Sequence, residues 1–198
     1  MIVRPAEEQE LERVNVLRKQ VNDLHVEGKP NVFKANFYDG LSDYVYEIWN
    51  DDKKEIIVAI NEGEIVGYAV LAHINRTETP FMYERDYLDI DEIGVDKDYR
   101  RHGVASEMIS YILDYAKDKG FKRVELNMWE FNQGALEFYE KVGFKTYRRC
   151  MEIEVEKLLD AGRGYINTIR SGKQKIQPHE SADVASWLNT IVFLLTKK

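Results

Sequence analysis

Residues 88–105 constrain the fold of this chain most strongly, because a strand pattern runs there through a glycine-containing turn into a helix pattern. The strand reads LDIDEIGV, and the charged residues 96–102 lead from it to Gly103 and an apolar helical stripe. A strand that feeds a helix in this way is typical of layered α/β proteins. The start of that helix would present backbone N–H groups without partners and the positive end of the helix dipole.

The strand in this segment carries an irregularity in its alternation of apolar and polar residues. Apolar side chains stand at even positions before Asp91 and at odd positions after Glu92, namely Leu88, Ile90, Ile93 and Val95. A slip of one residue in a pattern of period two predicts a β-bulge at Asp91-Glu92. The bulge would place Asp89 and one of these two carboxylates on the same face. The alternative is a plain edge strand with a solvated acidic face.

The remaining chain shows alternating strand and helix patterns. Strands are predicted at residues 2–4, 55–60, 65–74, 87–95, 123–128 and 144–155. A long helix begins at residue 6 and is ended by Gly28 and Pro30, and further helices are predicted at 41–49, 103–119 and 133–142. The order β-α-α-β-β-β-α-β-α-β predicts an α/β protein with one mixed central sheet flanked by helices.

The C-terminal segment has a different character, so we expect a domain at residues 1–155 and an extension at 156–198. The extension ends in an amphipathic helix pattern with its apolar residues at Val184, Leu188, Ile191, Val192 and Leu195. A single short amphipathic helix is marginal in water, so its stripe must dock on something. We expect this segment to complete a homodimer, with a cover on the same chain's sheet as the alternative.

Composition and charge exclude several classes of protein. The formal net charge of −7 disfavours a nucleic-acid binder. The single cysteine, Cys150, excludes an internal disulfide and a cysteine-rich zinc site, and the four histidines show no metal-ligand spacing, so we predict no metal. The sequence shows neither a signal-peptide core nor an apolar run long enough for a membrane span. We therefore expect a cytoplasmic protein without nucleic-acid or membrane partners.

Residues 100–105, which we name the glycine turn, have the composition of a phosphate-binding turn. Gly103 would let a ligand approach the backbone, and Arg100 and Arg101 add positive charge to an acidic chain. The physical interpretation is a pyrophosphate site, and an ordinary surface turn is the alternative. A nucleotide-phosphate site of the P-loop type is disfavoured because Val104-Ala105 provides no metal-binding hydroxyl.

Two separate motifs resemble the GNAT superfamily of N-acetyltransferases. Arg100-x-x-Gly103-x-Ala105, after a strand ending Ile93-Gly94-Val95-Asp96, resembles that family's acyl-CoA-binding motif. Residues 132–144, NQGALEFYEKVGF, resemble its signature Asn-x-x-Ala-x-x-x-Tyr-x-x-x-Gly-Phe. The motifs stand in the family's order, and the resemblance covers roughly residues 1–155. Ala105 stands where many members have Gly.

The resemblance implies that acetyl-CoA is the co-substrate. Its pantetheine arm would pair with the backbone of residues 93–95, and Asn132 would hydrogen-bond the arm. Tyr139 would stand near the thioester sulfur as the general acid, although an aromatic residue on a packed helix stripe is its alternative role. Backbone N–H groups of the glycine turn would hold the pyrophosphate. The cofactor-binding set is Ile93, Gly94, Val95, Arg100, Arg101, His102, Gly103, Val104, Ala105, Asn132 and Tyr139.

The acceptor side is predicted less fully. Glu92 and Asp91 are the preferred general bases because they lie at the proposed bulge. The alternative is that the acidic residues, Asp89 among them, only attract a cationic amine. The acceptor-binding set is Asp89, His25, Phe33 and Phe37. His25 stands at the end of the first predicted helix, and Phe33 and Phe37 follow that helix. A helix-end histidine that binds local carbonyls is the plainer alternative for His25.

These expectations combine into one function. We expect an enzyme that transfers an acetyl group from acetyl-CoA to a small-molecule or peptide amine by direct attack in a ternary complex. The alternative is a non-catalytic acyl-CoA-binding module in which Tyr139 only packs. The sequence does not identify the amine.

Overall fold

Five strands form one sheet in the order of the chain: β1 (Ile2–Pro5), β2 (Lys54–Asn61), β3 (Glu64–Arg76), β4 (Arg85–Val95) and β5 (Val124–Leu126). Neighbouring strands are antiparallel from β1 to β4, and β4 pairs with β5 in parallel. A parallel pair requires a crossover connection, which the helix α3 (Val104–Asp118) supplies. The sheet is therefore mixed, as the sequence predicts.

Helices cover both faces of the sheet. The helices α1 (Leu11–Gly28) and α2 (Asp39–Trp49) pack on one face through a core that includes Leu11, Val14, Leu17, Val45 and Ile48. The helices α3 and α4 (Gln133–Lys141) pack on the other face, where α3 buries Val104, Met108, Ile109 and Ile112. Alternating side chains of β2 and β3 supply both cores, since successive residues of a strand point to opposite faces.

Two local predictions are wrong. The first helix begins at Leu11 rather than at residue 6, because residues Glu8–Glu10 form a single 3-10 turn. The strand predicted at residues 144–155 is not formed over its described part, 144–152. Residues 145–150 include Lys145, Arg148 and Arg149, and β5, the edge strand nearer in sequence, is only three residues long.

The computed structural model describes residues 1–152. The chain divides into two units, Met1–Lys145 and Thr146–Lys198. The domain boundary predicted after residue 155 lies ten residues beyond this division and stays a prediction. The described part of the second unit, residues 146–152, contains no helix or strand. The predicted C-terminal helix and its dimer contact lie outside the described residues. No helix of the described part has the length and apolar character that crossing a membrane requires.

Candidate active site

The bulge predicted from the alternation pattern is present in β4. Val70 of β3 pairs with Glu92, whereas the next residue of β3, Leu71, pairs with Ile90. Asp91 is therefore the additional residue of β4 that forms the bulge. Before the bulge the even-numbered side chains of β4 face α3, and after it the odd-numbered side chains do so.

The bulge also changes the direction of the β4 backbone groups. Before it, the N–H of Leu88 donates to the carbonyl of Arg123, next to β5, at 3.1 Å. After it, the N–H of Asp96, again at an even position, donates to a β3 carbonyl at 2.8 Å. Since backbone groups alternate between the two sides of a strand, Ile93 and Val95 direct theirs towards the side of β5.

On that side β4 has an open edge, which we define as residues 91–95. β4 and β5 pair only where Leu88–Ile90 lies beside Val124–Leu126. Beyond this short ladder, no strand of the described residues lies next to residues 91–95 on the β5 side. An exposed strand edge can bind an extended ligand through main-chain hydrogen bonds. Gly94 has a further, structural role, because a Cβ there would lie 2.6 Å from the Tyr68 ring and 2.8 Å from the Val21 side chain.

The glycine turn follows the open edge after residues 96–99 and has a left-handed backbone at two positions. The φ angle is 67° at Arg101 and 85° at Gly103, the residue that precedes α3. A non-glycine residue in this conformation is strained by about 1–2 kcal/mol, and such residues are enriched at functional sites. A Cβ at Gly103 would meet no atom within 4 Å among the described residues, so a ligand can approach the backbone there.

The start of α3 has the properties of an anion site. No side chain caps it, so the first N–H groups of the helix, those of Val104 and Ala105 among them, have no capping acceptor. Arg100, Arg101 and His102 are exposed beside it, and the Arg100 Nε donates to the Val95 carbonyl at 3.3 Å. These features fit a diphosphate at the helix N-terminus.

The helix α4 carries Asn132 and Tyr139 on one face, because seven residues make about two turns of a helix. Asn132 caps the helix, and its Oδ1 accepts from the Ala135 N–H at 3.2 Å. The Nδ2 of Asn132 has no hydrogen-bond partner among residues 1–152. It can therefore donate to a ligand.

Tyr139 combines a packed ring with a hydroxyl that binds no described residue. Its ring centroid lies 5.4 Å from that of Phe138 and 5.7 Å from that of Phe144, within the core on the α3 side. Burial raises the pKa of Tyr139 to about 12. The hydroxyl is therefore protonated at neutral pH and can donate a hydrogen bond.

Glu92 points to the opposite face of the sheet, where Arg18 of α1 binds it. The Arg18 Nε and Nη2 donate to the two Glu92 oxygens at 2.9 and 3.0 Å, and the Tyr68 hydroxyl donates to Oε2 at 3.1 Å. Arg18 is only 4% exposed and also donates to the Leu41 carbonyl at 3.0 Å. Both oxygens of this predicted base are thus engaged by the chain itself.

Asp91 and Asp89 lie on the same face as Glu92. Lys54 binds Asp91 through a 2.8 Å contact between Nζ and Oδ2, whereas no salt bridge from the described residues reaches Asp89. Burial is the main cause that raises the pKa of Asp89 to about 6, and repulsion from Asp91 and Glu125 adds to it. Asp89 therefore exchanges its proton close to neutral pH.

The predicted acceptor residues His25 and Phe33 belong to an aromatic cluster of four rings, His25, Phe33, Trp129 and Phe131. The centroids of His25 and Phe33 are 4.7 Å apart in a stacked pair, and Phe33 meets Trp129 edge-on at 5.2 Å. Phe37 lies apart from these rings, with the Arg18 guanidinium 5.8 Å from its centroid.

The sequence did not identify Arg18, Lys54, Trp129 or Phe131. A signal exists for Arg18, because it stands seven residues after Leu11 and therefore on the buried side of α1. A charge at such a position requires a buried partner. Trp129 and Phe131 immediately precede the Asn132 motif, but their contacts join segments that are distant in sequence. Among the described residues, no group of three or more histidine, cysteine or acidic side chains is placed to hold a metal ion.

Two structural comparisons show the fold. The tetramutant of the BH1408 protein from Bacillus halodurans has a TM-score of 0.74 and 26% identity, over 78% of this chain and 99% of that one. The aminoglycoside N-acetyltransferase AAC(6')-Iy in complex with CoA has a TM-score of 0.58 and 18% identity, over 77% of this chain and 98% of that one.

Sequence comparisons identify the family. An N-acetyltransferase of Methanocaldococcus jannaschii is 40% identical over 31% of this chain, but the match spans only 27% of that protein. N-alpha-acetyltransferase 30 of Schizosaccharomyces pombe is 28% identical over 54% of this chain and 69% of its own length. The profile of the acetyltransferase (GNAT) family matches residues 19–144, more than half of the chain. The chain therefore belongs to the GNAT acetyltransferase family.

Proposed function

We propose that this protein transfers the acetyl group of acetyl-CoA to a primary amine by direct attack in a ternary complex. The observation that carries the proposal is the open edge of β4 beside the uncapped start of α3. An extended arm with amide groups fits the backbone of Ile93 and Val95, and a diphosphate fits the N–H groups of residues 103–105. Acetyl-CoA carries both groups in one molecule.

The two faces of the sheet would then divide the chemistry. Three carboxylates, Asp89, Asp91 and Glu92, lie on the face that α1 and α2 cover, and the Tyr139 ring packs on the other. The thioester on the open edge would lie between them. An amine would approach from the acidic side, and the thiol would leave towards Tyr139.

We favour Asp89 over Asp91 and Glu92 as the proton acceptor. Arg18 and Lys54 already bind the other two carboxylates, whereas the pKa of Asp89, raised to about 6, suits a general base near neutral pH. An alkylammonium ion has an ordinary pKa of ~10, so it must lose a proton before it can attack. Asp89 would accept this proton directly or through one water molecule.

The transfer then balances in protons and bonds. The free amine forms a C–N bond to the thioester carbonyl, and a backbone N–H of the open edge stabilises the oxyanion. The attacking nitrogen then loses its second proton to solvent. The C–S bond breaks as the Tyr139 hydroxyl donates to the departing sulfur. Because the pKa of Tyr139 is about 12, above the ~8.5 of an ordinary thiol, the tyrosine first stabilises the thiolate by a hydrogen bond, and solvent replaces any proton it gives up. One proton is released to solvent for each amide formed.

A non-catalytic acyl-CoA-binding module is the second candidate, and the close packing of Tyr139 against Phe138 and Phe144 favours it. Incubation with acetyl-CoA and a panel of amines, followed by assay of free thiol and by mass analysis of the amines, separates the two. We expect thiol release that depends on the amine and matches the acetylated product. Saturable acetyl-CoA binding without turnover of any amine would support the module.

The small-molecule or peptide nature of the acceptor, a cytoplasmic location and a homodimer through residues 156–198 remain predictions. The free thiol of Cys150 fits a reducing compartment.

A further inference from the structure

We propose that the acceptor is a monoamine whose single primary amine is attached close to an aromatic ring, and that the aromatic cluster binds that ring. The inference rests on the proposed acetyl transfer and concerns the acceptor side of the same site. It depends on two independent observations, the position of the aromatic cluster and the charge on the acidic face.

The aromatic cluster joins three separate segments of the chain. His25 lies in the last turns of α1, Phe33 in the connection from α1 to α2, and Trp129 and Phe131 in the connection from β5 to α4. Gly28 permits the contact with α1, because a Cβ at this position would lie 2.4 Å from the Phe131 ring. None of the four rings belongs to either buried core of the described residues, so the cluster is not required to fill the interior.

The cluster borders the place where the sheet opens. Trp129 and Phe131 follow β5, whose short pairing with β4 creates the open edge, and Phe131 directly precedes Asn132. On the acidic side, Val21 of α1, one helical turn before His25, lies beside Gly94 of the open edge. Trp129 is 37% exposed and therefore presents aromatic surface to a ligand that enters from solvent. Stacked or edge-on aromatic contacts add about 0.5–1.5 kcal/mol to apolar burial.

The acidic face has room for one cation. It carries four carboxylates, the three of β4 and Glu125 of β5, which lies beside Asp89. Arg18 neutralises Glu92, Lys54 neutralises Asp91, and Arg85 neutralises Glu125. Asp89 is the carboxylate of this face that remains for an ammonium ion, since Arg76 and Lys54 attract it only at longer range. Burial lowers the pKa of His25 and so favours the neutral ring, which does not repel an ammonium ion. A polyamine or an aminoglycoside brings several positive charges, which would require several carboxylates without partners.

The experiment compares four amines with the full chain and acetyl-CoA: 2-phenylethylamine, n-butylamine, spermidine and kanamycin. A tripeptide that begins with phenylalanine shows whether the aromatic amine can also come from a polypeptide N-terminus. Thiol release and product mass give kcat/KM for each amine. We expect 2-phenylethylamine to exceed n-butylamine by about tenfold, which corresponds to about 1.4 kcal/mol, and to exceed spermidine and kanamycin by more.

Variants assign the preference to the aromatic cluster. Trp129→Ala is expected to remove most of the preference for phenylethylamine over butylamine and to leave the KM for acetyl-CoA unchanged. Tyr83→Ala is the matched control, since Tyr83 is an aromatic residue that is 88% exposed in the β3–β4 connection and is not one of the four rings of the aromatic cluster. If Trp129→Ala does not fold, Phe33→Leu, which keeps an apolar side chain, provides the same comparison.

The outcomes separate this inference from the proposed function. Acetylation with equal kcat/KM for phenylethylamine and butylamine, or with the highest kcat/KM for spermidine or kanamycin, would overturn the inference and leave the acetyltransferase proposal intact. An unchanged preference in a folded Trp129→Ala or Phe33→Leu variant would also overturn it. Absence of acetylation with every amine would count against both.

Discussion

Tyr139 illustrates how a single atom can decide a residue's role. Its ring packs against Phe138 and Phe144 whether or not the residue is catalytic, but its hydroxyl binds no described residue. Tyr139→Phe is therefore expected to leave the thermal midpoint and the KM for acetyl-CoA unchanged and to lower kcat by about 10²-fold. Tyr111→Phe on α3 removes a hydroxyl elsewhere and is the control in steady-state assays. If the two variants have equal rates, Tyr139 only packs.

Asp89 links the site to stability. Its pKa of about 6 in the folded chain exceeds the ordinary 3.8, chiefly because burial disfavours the charged form. Such a group stabilises the fold while protonated, and this contribution is lost as the pH rises from about 4 to about 6. Asp89→Asn is expected to raise the free energy of unfolding by about 1 kcal/mol at pH 8, after allowance for solvent screening, and by nothing at pH 4. Denaturant titrations at the two pH values measure the difference, and an equal gain at both would contradict the assignment.

The same titration predicts the pH dependence of turnover. With Asp89 as proton acceptor, kcat/KM falls tenfold per pH unit once the pH drops well below about 6, because the protonated carboxyl cannot accept the ammonium proton. Measurement of kcat/KM against pH tests this dependence, provided that the tertiary structure is confirmed to be intact at each pH. A profile that is flat from pH 7 to pH 5 would assign the proton to another group.

At the scale of elements, the glycine turn and α3 carry the phosphate prediction. Gly103→Glu adds bulk and negative charge where the phosphates would approach the backbone, and we expect the Kd for acetyl-CoA to rise at least tenfold. Gly120→Glu is the control at the other end of α3. The φ angle is 85° at Gly103 and 84° at Gly120, and a Cβ at either glycine would meet no described atom within 4 Å. The backbone strain of the two substitutions is therefore matched. Isothermal titration with equal affinity for both folded variants would contradict the phosphate site.

The ion pair between Arg18 and Glu92 ties α1 to the bulge of β4. Arg18 is buried, so Glu92→Gln leaves a guanidinium without its counter-charge, and we expect the free energy of unfolding to fall by about 3 kcal/mol. The exposed pair Lys19–Asp23 on the same helix is the control, and Asp23→Asn is expected to cost less than about 0.5 kcal/mol. Equal, small losses in denaturant titrations would show that the pair does not hold the bulge.

Much of this element scale follows from local sequence. The slip in alternation across Asp91-Glu92 predicted the bulge, because side-chain parity along a strand is a local property. The pairing of Arg18 with Glu92 joins residues 74 positions apart, and no local pattern encodes such a contact. The strand expected at residues 144–155 is not formed over residues 144–152. The apolar alternation that predicted it is concentrated at Met151, Ile153 and Val155, and only Met151 of these is described.

At the scale of the whole molecule, the role of residues 156–198 is a prediction from sequence alone. If the apolar stripe of this segment forms the dimer contact, the full chain has the mass of a dimer in solution and a chain truncated after residue 155 has the mass of a monomer. Light scattering coupled to size exclusion measures both. A full chain that is a monomer, or a truncated chain that forms an equally tight dimer, would contradict the prediction.

In an acetyltransferase, the open edge of β4 and the glycine turn serve catalysis and not only binding. One measurement tests it most directly: amine-dependent release of free CoA thiol by the full chain, with the acetylated amine identified by mass in the same reaction. We expect equal amounts of thiol and acetylated amine and, with Tyr139→Phe, a lower rate at unchanged acetyl-CoA affinity. Thiol release that is independent of every amine, or acetyl-CoA binding without any acetylated product, would contradict it.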